Sequence, residues 1–184
     1  MNNKTTTYNL VLTALMMSLV MVMTYIIRIP VPATQGYIHL GDCMIFFSVL
    51  LLGWKWGAVA AGVGSAMADL IAGYAHYVPI TFVVKGLMAI AMGICIDKAV
   101  KSGFTGGKLR AMETLGMAIA GIVMCAGYYT AESLMYGSWI TPLGSIPMNM
   151  IQFGVGIVLA TALATALYKT PAKSKFAYRL NESR

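Results

Sequence analysis

Residues 57–89, GAVAAGVGSAMADLIAGYAHYVPITFVVKGLMA, form two apolar segments around a short Gly-Tyr-Ala-His-Tyr-Val-Pro turn, and each segment carries one ionisable residue. Asp69 lies four residues before Gly73, and Lys85 lies six after Pro79. At about 1.5 Å of rise per residue, both sit roughly 6–9 Å below the turn. Segments this apolar read as membrane spans, where a charge is costly and faces a protein interior with a partner. The side of the membrane holding this turn is therefore the chemically interesting one.

Only 10% of the 184 residues are charged, against about 25% in a soluble domain. The apolar stretches have helical length and do not alternate, which selects helices over a barrel. The chain reads as one all-α domain, 1–184, a compact bundle of six transmembrane helices at about 8–27, 40–54, 57–73, 79–96, 112–136 and 146–168. The second is short for a hydrocarbon core of about 30 Å. The first, Tyr8–Ile27, is too long for a signal-peptide core, lacks an A-x-A-like site after it, and reads as a retained helix.

Basic residues set the orientation. Lys4, Lys55, Lys98, Lys101, Lys108, Arg110, Lys169, Lys173, Lys175, Arg179 and Arg184, eleven of thirteen, fall on one side of the six-span scheme. The opposite connections hold only Arg28, and Lys85 lies within a span. The positive-inside rule then puts both termini in the cytoplasm, which an even number of spans satisfies. It also explains the net charge of +7 without nucleic acid.

Small residues recur at spacing four: Ala60, Gly64, Ala68 and Ala72 on the third helix, Gly156, Ala160 and Ala164 on the sixth, Gly116 and Ala120 on the fifth. Such stripes let helix backbones approach, here within the chain or against another membrane protein. Ala14 and Ser18 form a similar pair on the first helix. Cys43, Cys95 and Cys125 lie singly in apolar runs, so neither a disulfide framework nor a metal site is expected.

Polar groups gather under the outer surface. Glu132 lies four residues inside the outer end of helix five, with Tyr128 one turn deeper on its face. Asn149 and Gln152 share a face of helix six and either read a ligand or bond across helices. Asp69 and Lys85 either form a structural ion pair or leave Lys85 for the ligand. Asp42 is placed to cap the second helix. The outer connections add His39, Tyr74, His76, Tyr77, Tyr136 and Trp139, as an aromatic belt or as stacking groups. The two histidines are read as loop residues, not metal ligands. Because the inner halves of helices five and six are nearly all apolar, the layer describes a closed-bottomed pocket open outward, capped by the loop 28–42, RIPVPATQGYIHLGD. Within that loop Tyr-Ile-His-Leu is suited to a short extended segment. No H-E-x-x-H, G-x-S-x-G or P-loop occurs, so neither an enzyme nor ATP hydrolysis by this chain is expected.

This pattern resembles the substrate-binding S components of energy-coupling factor (ECF) vitamin transporters. The stretches that carry the likeness are G-Y-I-H-L-G-D (36–42), L-L-G-W-K-W-G (51–57), A-D-L-I-A-G-Y (68–74) and V-P-I-T-F-V-V-K-G-L (78–87). They are similar to the branch with carriers for riboflavin, pantothenate, and pyridoxine or hydroxymethylpyrimidine. The resemblance implies a multi-pass plasma-membrane binding subunit without a cofactor of its own. It captures a vitamin outside and topples to deliver it inward, driven by a T component and two ATPases that use ATP. In this family an A-x-x-x-A motif on the first helix contacts the T component; here it reads Ala14-Leu-Met-Met-Ser18. The expected substrate contacts are Glu132, Tyr128, Lys85, Asn149, Gln152, Trp139, His39, Tyr74 and His76. A carboxylate at Glu132 favours a ring amine or protonated ring nitrogen, hence a pyridoxine or hydroxymethylpyrimidine type. A free Lys85 favours pantothenate, and carbonyl reading by Asn149 and Gln152 favours riboflavin. A stand-alone proton-coupled carrier using Glu132 or Asp69 as relay, and an intramembrane enzyme, are the readings from other classes.

Overall fold

The computed structural model describes residues 3–26, 28–31 and 36–178. Arg179 and Arg184 of the basic tail, Ile27, and positions 32–35 of the outer loop lie outside the described residues. Among the described residues five helices are long and apolar enough to cross a membrane. They are α1 (Asn3–Ile26), α2 (Gly41–Ile71), α3 (Val78–Lys101), α4 (Gly106–Tyr136) and α5 (Ile146–Tyr168). Two short strands, β1 (Arg28–Val31) and β2 (Gly36–His39), pair antiparallel between α1 and α2, with Arg28 opposite His39 and Pro30 opposite Tyr37.

The expected second and third spans are joined in α2, which breaks at Gly53 (φ 76°, ψ 171°), a backbone region essentially confined to glycine. A Cβ on Gly57 would lie 3.0 Å from the Val49 Cα. In a straight helix residues eight apart are separated by about 12 Å, so the chain doubles back here. The break frees carbonyls of the first half. Those of Leu50 and Leu51 both accept from the Ala177 N–H, at 3.1 Å each, so the chain beyond α5 returns to close the gap. Phe176 (2% exposed) and Tyr178 (6% exposed) anchor that return, Phe176 against the rings of Phe47 and Tyr168.

Helix packing follows the small residues. A Cβ on Gly64 would meet the Met17 carbonyl of α1 at 2.6 Å, one on Gly116 the Met92 carbonyl of α3 at 3.1 Å, and one on Gly156 the Asp42 Cβ of α2 at 3.1 Å. These stripes serve packing inside the chain. α1 lies on α2, α2 on α3 and α3 on α4, while α5 closes against α2 and α4. The core between them is rich in methionine, with Met16, Met88, Met92, Met117 and Met124 fully buried; flexible thioethers fill irregular gaps between helices. α4 ends at Gly137, left-handed at φ 61°, and a 3₁₀ turn, Thr141–Ser145, leads into α5. The described basic side chains outside the spans lie at one end, where Lys175 sits 5.5 Å over the Tyr8 ring; Arg28 is at the other.

Candidate functional site

At the Arg28 end, β2, the α2–α3 turn, α3, α4 and α5 enclose a cavity of about 460 Å³, counting its open mouth. Tyr37, His39, Asp69, Tyr74, Tyr77, Thr81, Tyr128, Glu132, Ser145, Asn149 and Gln152 line it. Alternation along β2 puts Tyr37 and His39 on one face. One turn of α2 above its end gives Asp69, the opening turn of α3 gives Thr81, and the outer turns of α4 and α5 give Tyr128, Glu132, Asn149 and Gln152.

Hydroxyls serve both carboxyl groups. The Tyr37 hydroxyl donates to Asp69 Oδ1 at 2.6 Å. Tyr77 donates to Glu132 Oε1 at 3.1 Å, and Ser145 to Glu132 Oε2 at 2.9 Å. Burial and the Asp69 charge raise the Tyr37 phenol above its usual range; burial, Tyr136 and Glu132 do the same to Tyr77. Both phenols therefore stay protonated and donate. Among the described residues neither Asp69 nor Glu132 has a basic partner at salt-bridge distance. The rings of Tyr37 and Tyr74 meet at 4.9 Å, and Arg28 lies 5.7 Å over Tyr37 from outside.

A second polar tier lies one turn deeper. Lys85, fully buried, donates to Asp42 Oδ1 at 2.5 Å and reaches the Met124 sulfur at 2.9 Å. The Gln152 amide donates to Asp42 Oδ2 at 2.8 Å, while its oxygen accepts the His39 backbone N–H at 2.8 Å. This tier ties α2, α3 and α5 to β2 directly under the cavity.

The expected ion pair is corrected by this arrangement: Lys85 pairs with Asp42 and not with Asp69, whose carboxyl turns to the Tyr37 hydroxyl. Asp42 does not cap α2 either; no side-chain cap bond forms at that helix start, and its two oxygens are taken by Lys85 and Gln152. Of the expected substrate contacts, Glu132, Tyr128, Asn149, Gln152, His39 and Tyr74 line the cavity. Lys85 does not, because it is sealed beneath it. Trp139 is 58% exposed beside Tyr129, and His76 is exposed, its ring tilted against that of Tyr77 but not itself in the lining. Gln152 spends its carboxamide on protein groups, whereas Asn149 makes no hydrogen bond to the described residues and keeps its own for the cavity.

Tyr77, expected as a belt or stacking ring, lines the cavity, and Tyr37, Thr81 and Ser145, which were not expected there, complete the lining. Thr81 carried a signal, since it stands one turn from Lys85 on the same helix face. Tyr37 carried another, two residues before His39 in an extended segment. Ser145 carried none, because the 3₁₀ turn that aims it at Glu132 has no sequence signature.

Four tyrosine rings, an imidazole and, among the described residues, two carboxyl groups without a basic partner and a carboxamide without a hydrogen-bonding one give the cavity aromatic walls with a few fixed polar groups, the make-up of a small-molecule site. Comparison with known proteins agrees with a carrier. The sequence profile described as "ECF-type riboflavin transporter, S component" matches residues 4–169. The chain is 35% identical over 153 residues to an uncharacterized protein of Pyrococcus woesei, covering 82% of this chain and 95% of that one. It is 28% identical over 162 residues to the thiamine precursor transporter HmpT of Lactococcus lactis subsp. cremoris, covering 88% of each. Its fold matches a chain from the structure and mechanism of the S component of a bacterial ECF transporter, with a TM-score of 0.67, 17% identity, and coverage of 89% of this chain and 97% of that one. The all-helical membrane fold and the profile spanning nearly the whole chain lead to one conclusion: the protein belongs to the ECF-type riboflavin transporter S component family, whose members are transporter subunits for vitamin-type substrates and not enzymes.

Proposed function

We propose that this chain captures a small aromatic vitamin precursor of the hydroxymethylpyrimidine or pyridoxine type from outside the cell. It then delivers the ligand inward by toppling, together with a T component and two ATPases. The observation that carries the substrate class is the pair of cavity-lining carboxyl groups, Asp69 and Glu132, with no cation at salt-bridge distance among the described residues. A ligand amine or protonated ring nitrogen supplies the missing positive charge, and the tyrosine rings supply the faces. The thiamine precursor transporter at 28% identity points the same way. Pantothenate loses its support, since the cation it needs is held by Asp42. Riboflavin is the second reading, favoured by the family description and by the free Asn149 carboxamide.

The reading has six membrane crossings, with the two halves of α2 counted separately; the reversal at Gly53 supports this. Both termini are cytoplasmic, supported by basic residues at the end away from the cavity. The β1–β2 hairpin covers the mouth, supported by Tyr37 and His39 in the lining. Ala14 and Ser18 dock the T component: both are exposed on α1, and the Ser18 hydroxyl is satisfied by the Ala14 carbonyl at 3.0 Å.

Mass spectrometry of the small molecule that co-purifies with the chain, followed by calorimetry with 4-amino-5-hydroxymethyl-2-methylpyrimidine, pyridoxine, riboflavin and pantothenate, tests the reading. A pyrimidine or pyridine bound most tightly is the expected result; preferential binding of the anionic pantothenate would falsify it.

A further inference from the structure

His39 ends β2, is 8% exposed, and lines the cavity. Its Nδ1 accepts the Gly41 backbone N–H at 2.9 Å. An amide N–H only donates, so Nδ1 bears a lone pair and a neutral ring holds its proton on Nε2. Burial, followed by the Lys85 charge, lowers the imidazole pKa to about 3, and the ring is neutral at physiological pH. Nε2 makes no hydrogen bond to the described residues, and it is not among the buried polar atoms sealed off without a partner. It is therefore open to the cavity.

The ring cannot turn to relieve this. Flipping it would set a C–H against the Gly41 N–H and forfeit that bond. The strand beneath it is pinned by the Gln152 oxygen on the His39 N–H, and Gln152 is itself oriented by Asp42. Gly41 makes the contact possible, because a Cβ there would lie 2.8 Å from His39 Nδ1 and 2.0 Å from Thr24 Oγ1. Around the cavity, carboxyl groups accept, while hydroxyls and the Asn149 amide do either. The neutral His39 ring, with Nδ1 occupied, can only donate.

We propose that His39 is a specificity-determining residue, its Nε2–H a fixed donor to an acceptor on the substrate, such as an unprotonated ring nitrogen or a hydroxyl or carbonyl oxygen. Gln152 and the Asp42–Lys85 pair act as positioning residues that hold it. The inference rests on the cavity being the substrate site, as proposed above, and deepens that reading by assigning the acceptor edge of the ligand to His39. The amine or cationic edge belongs to the carboxyl groups.

The test uses the full chain without a histidine tag, labelled with ¹⁵N on its histidine rings. The chain has two histidines, so His76→Gln isolates the His39 signal. The ligand-free protein at pH 7 should show the Nε2-protonated tautomer, and an Nδ1-protonated or doubly protonated ring overturns the proposal. Calorimetry then pairs wild type and His39→Phe with 4-amino-5-hydroxymethyl-2-methylpyrimidine and with analogues in which one ring nitrogen is CH or the hydroxyl is absent. His39→Phe should cost about tenfold in affinity, and one deleted acceptor should cost about tenfold in wild type but little more in the variant. Equal losses for every analogue in both proteins would mean that His39 only shapes the wall, and would overturn the proposal. If wild type binds no pyrimidine, the substrate reading fails separately, and the tautomer in ligand-free protein decides whether His39 can donate at all.

Discussion

Replacing Lys85 by methionine removes the cation from a pair in which both residues are 0% exposed and the charged atoms lie 2.5 Å apart. The Asp42 carboxylate is then left in an apolar core with only the Gln152 amide to hold it. Breaking a buried pair from one side costs about 3–5 kcal/mol, because the surviving charge can neither pair nor reach water. Asp42→Asn strands Lys85 in the same way, beside the Met124 sulfur. Making both changes together removes both charges, and an uncharged replacement of similar volume is often neutral or better. The double variant should therefore recover most of what each single loses, a coupling of several kcal/mol where independent sites would simply add. For a chain of this size about 1 kcal/mol moves the unfolding midpoint by about 2–4 °C, so each single should fall by roughly 6–20 °C and the double by only a few degrees. Thermal unfolding of purified protein in detergent, read by the fraction surviving gel filtration, measures this directly. If the single variants melt with wild type, or the double sits at the sum of the singles, the pair does not join α2 to α3 and the reasoning is refuted.

Glu132→Gln keeps one acceptor oxygen, and its new N–H can donate to the Ser145 hydroxyl, which then donates to the Pro142 carbonyl instead. The charge is lost, so affinity for an amine-bearing pyrimidine should drop about tenfold with little change in melting; unchanged affinity in calorimetry would remove Glu132 from the site. Enlarging Ala14 or Ser18 to tryptophan should abolish co-purification with a T component while leaving ligand binding alone, because both face outward from α1; an intact complex would refute the docking assignment. Ala177→Pro deletes the N–H shared by the Leu50 and Leu51 carbonyls and should lower the melting midpoint by several degrees, about 1–3 kcal/mol for buried acceptors left unmade; a midpoint equal to wild type would show that the returning chain is not a brace. His39 has its pKa lowered from 6.5 to about 3 by burial and by Lys85 on α3, against an opposing pull from Asp42 on α2. Between those values the unfolded chain binds the extra proton, so its contribution makes stability fall as pH drops below about 6.5 and leaves it flat above. His39→Gln should flatten that slope, and an unchanged slope would assign the pH dependence elsewhere.

Depth along a helix is legible in a sequence, and rotation about its axis is much less so. Counting residues from the outer ends was enough to place Glu132, Tyr128 and Asn149 in the cavity wall, since apolar length locates the ends and spacing three or four locates the face. The same count put Asp69 and Lys85 at one level and made them partners. Asp69 lines the cavity, whereas Lys85 lies sealed beneath it and turns toward the first half of α2, which no local pattern brings there. That half arrives because Gly53 folds the chain back, so the partner, Asp42, comes from a residue whose position after a glycine looked like a cap. The exposed rings of Trp139 and His76 were read as ligand contacts for the opposite reason: aromatics at a membrane surface have two uses, and only packing distinguishes them. The reassignment of one lysine changes the chemistry of the whole site. With Lys85 paired to Asp69 the upper cavity would be neutral but for Glu132. With Lys85 committed to Asp42 one turn below, two carboxyl groups face the cavity with hydroxyls as their close partners among the described residues, and it is the proposed substrate that would bring the cation to complete them.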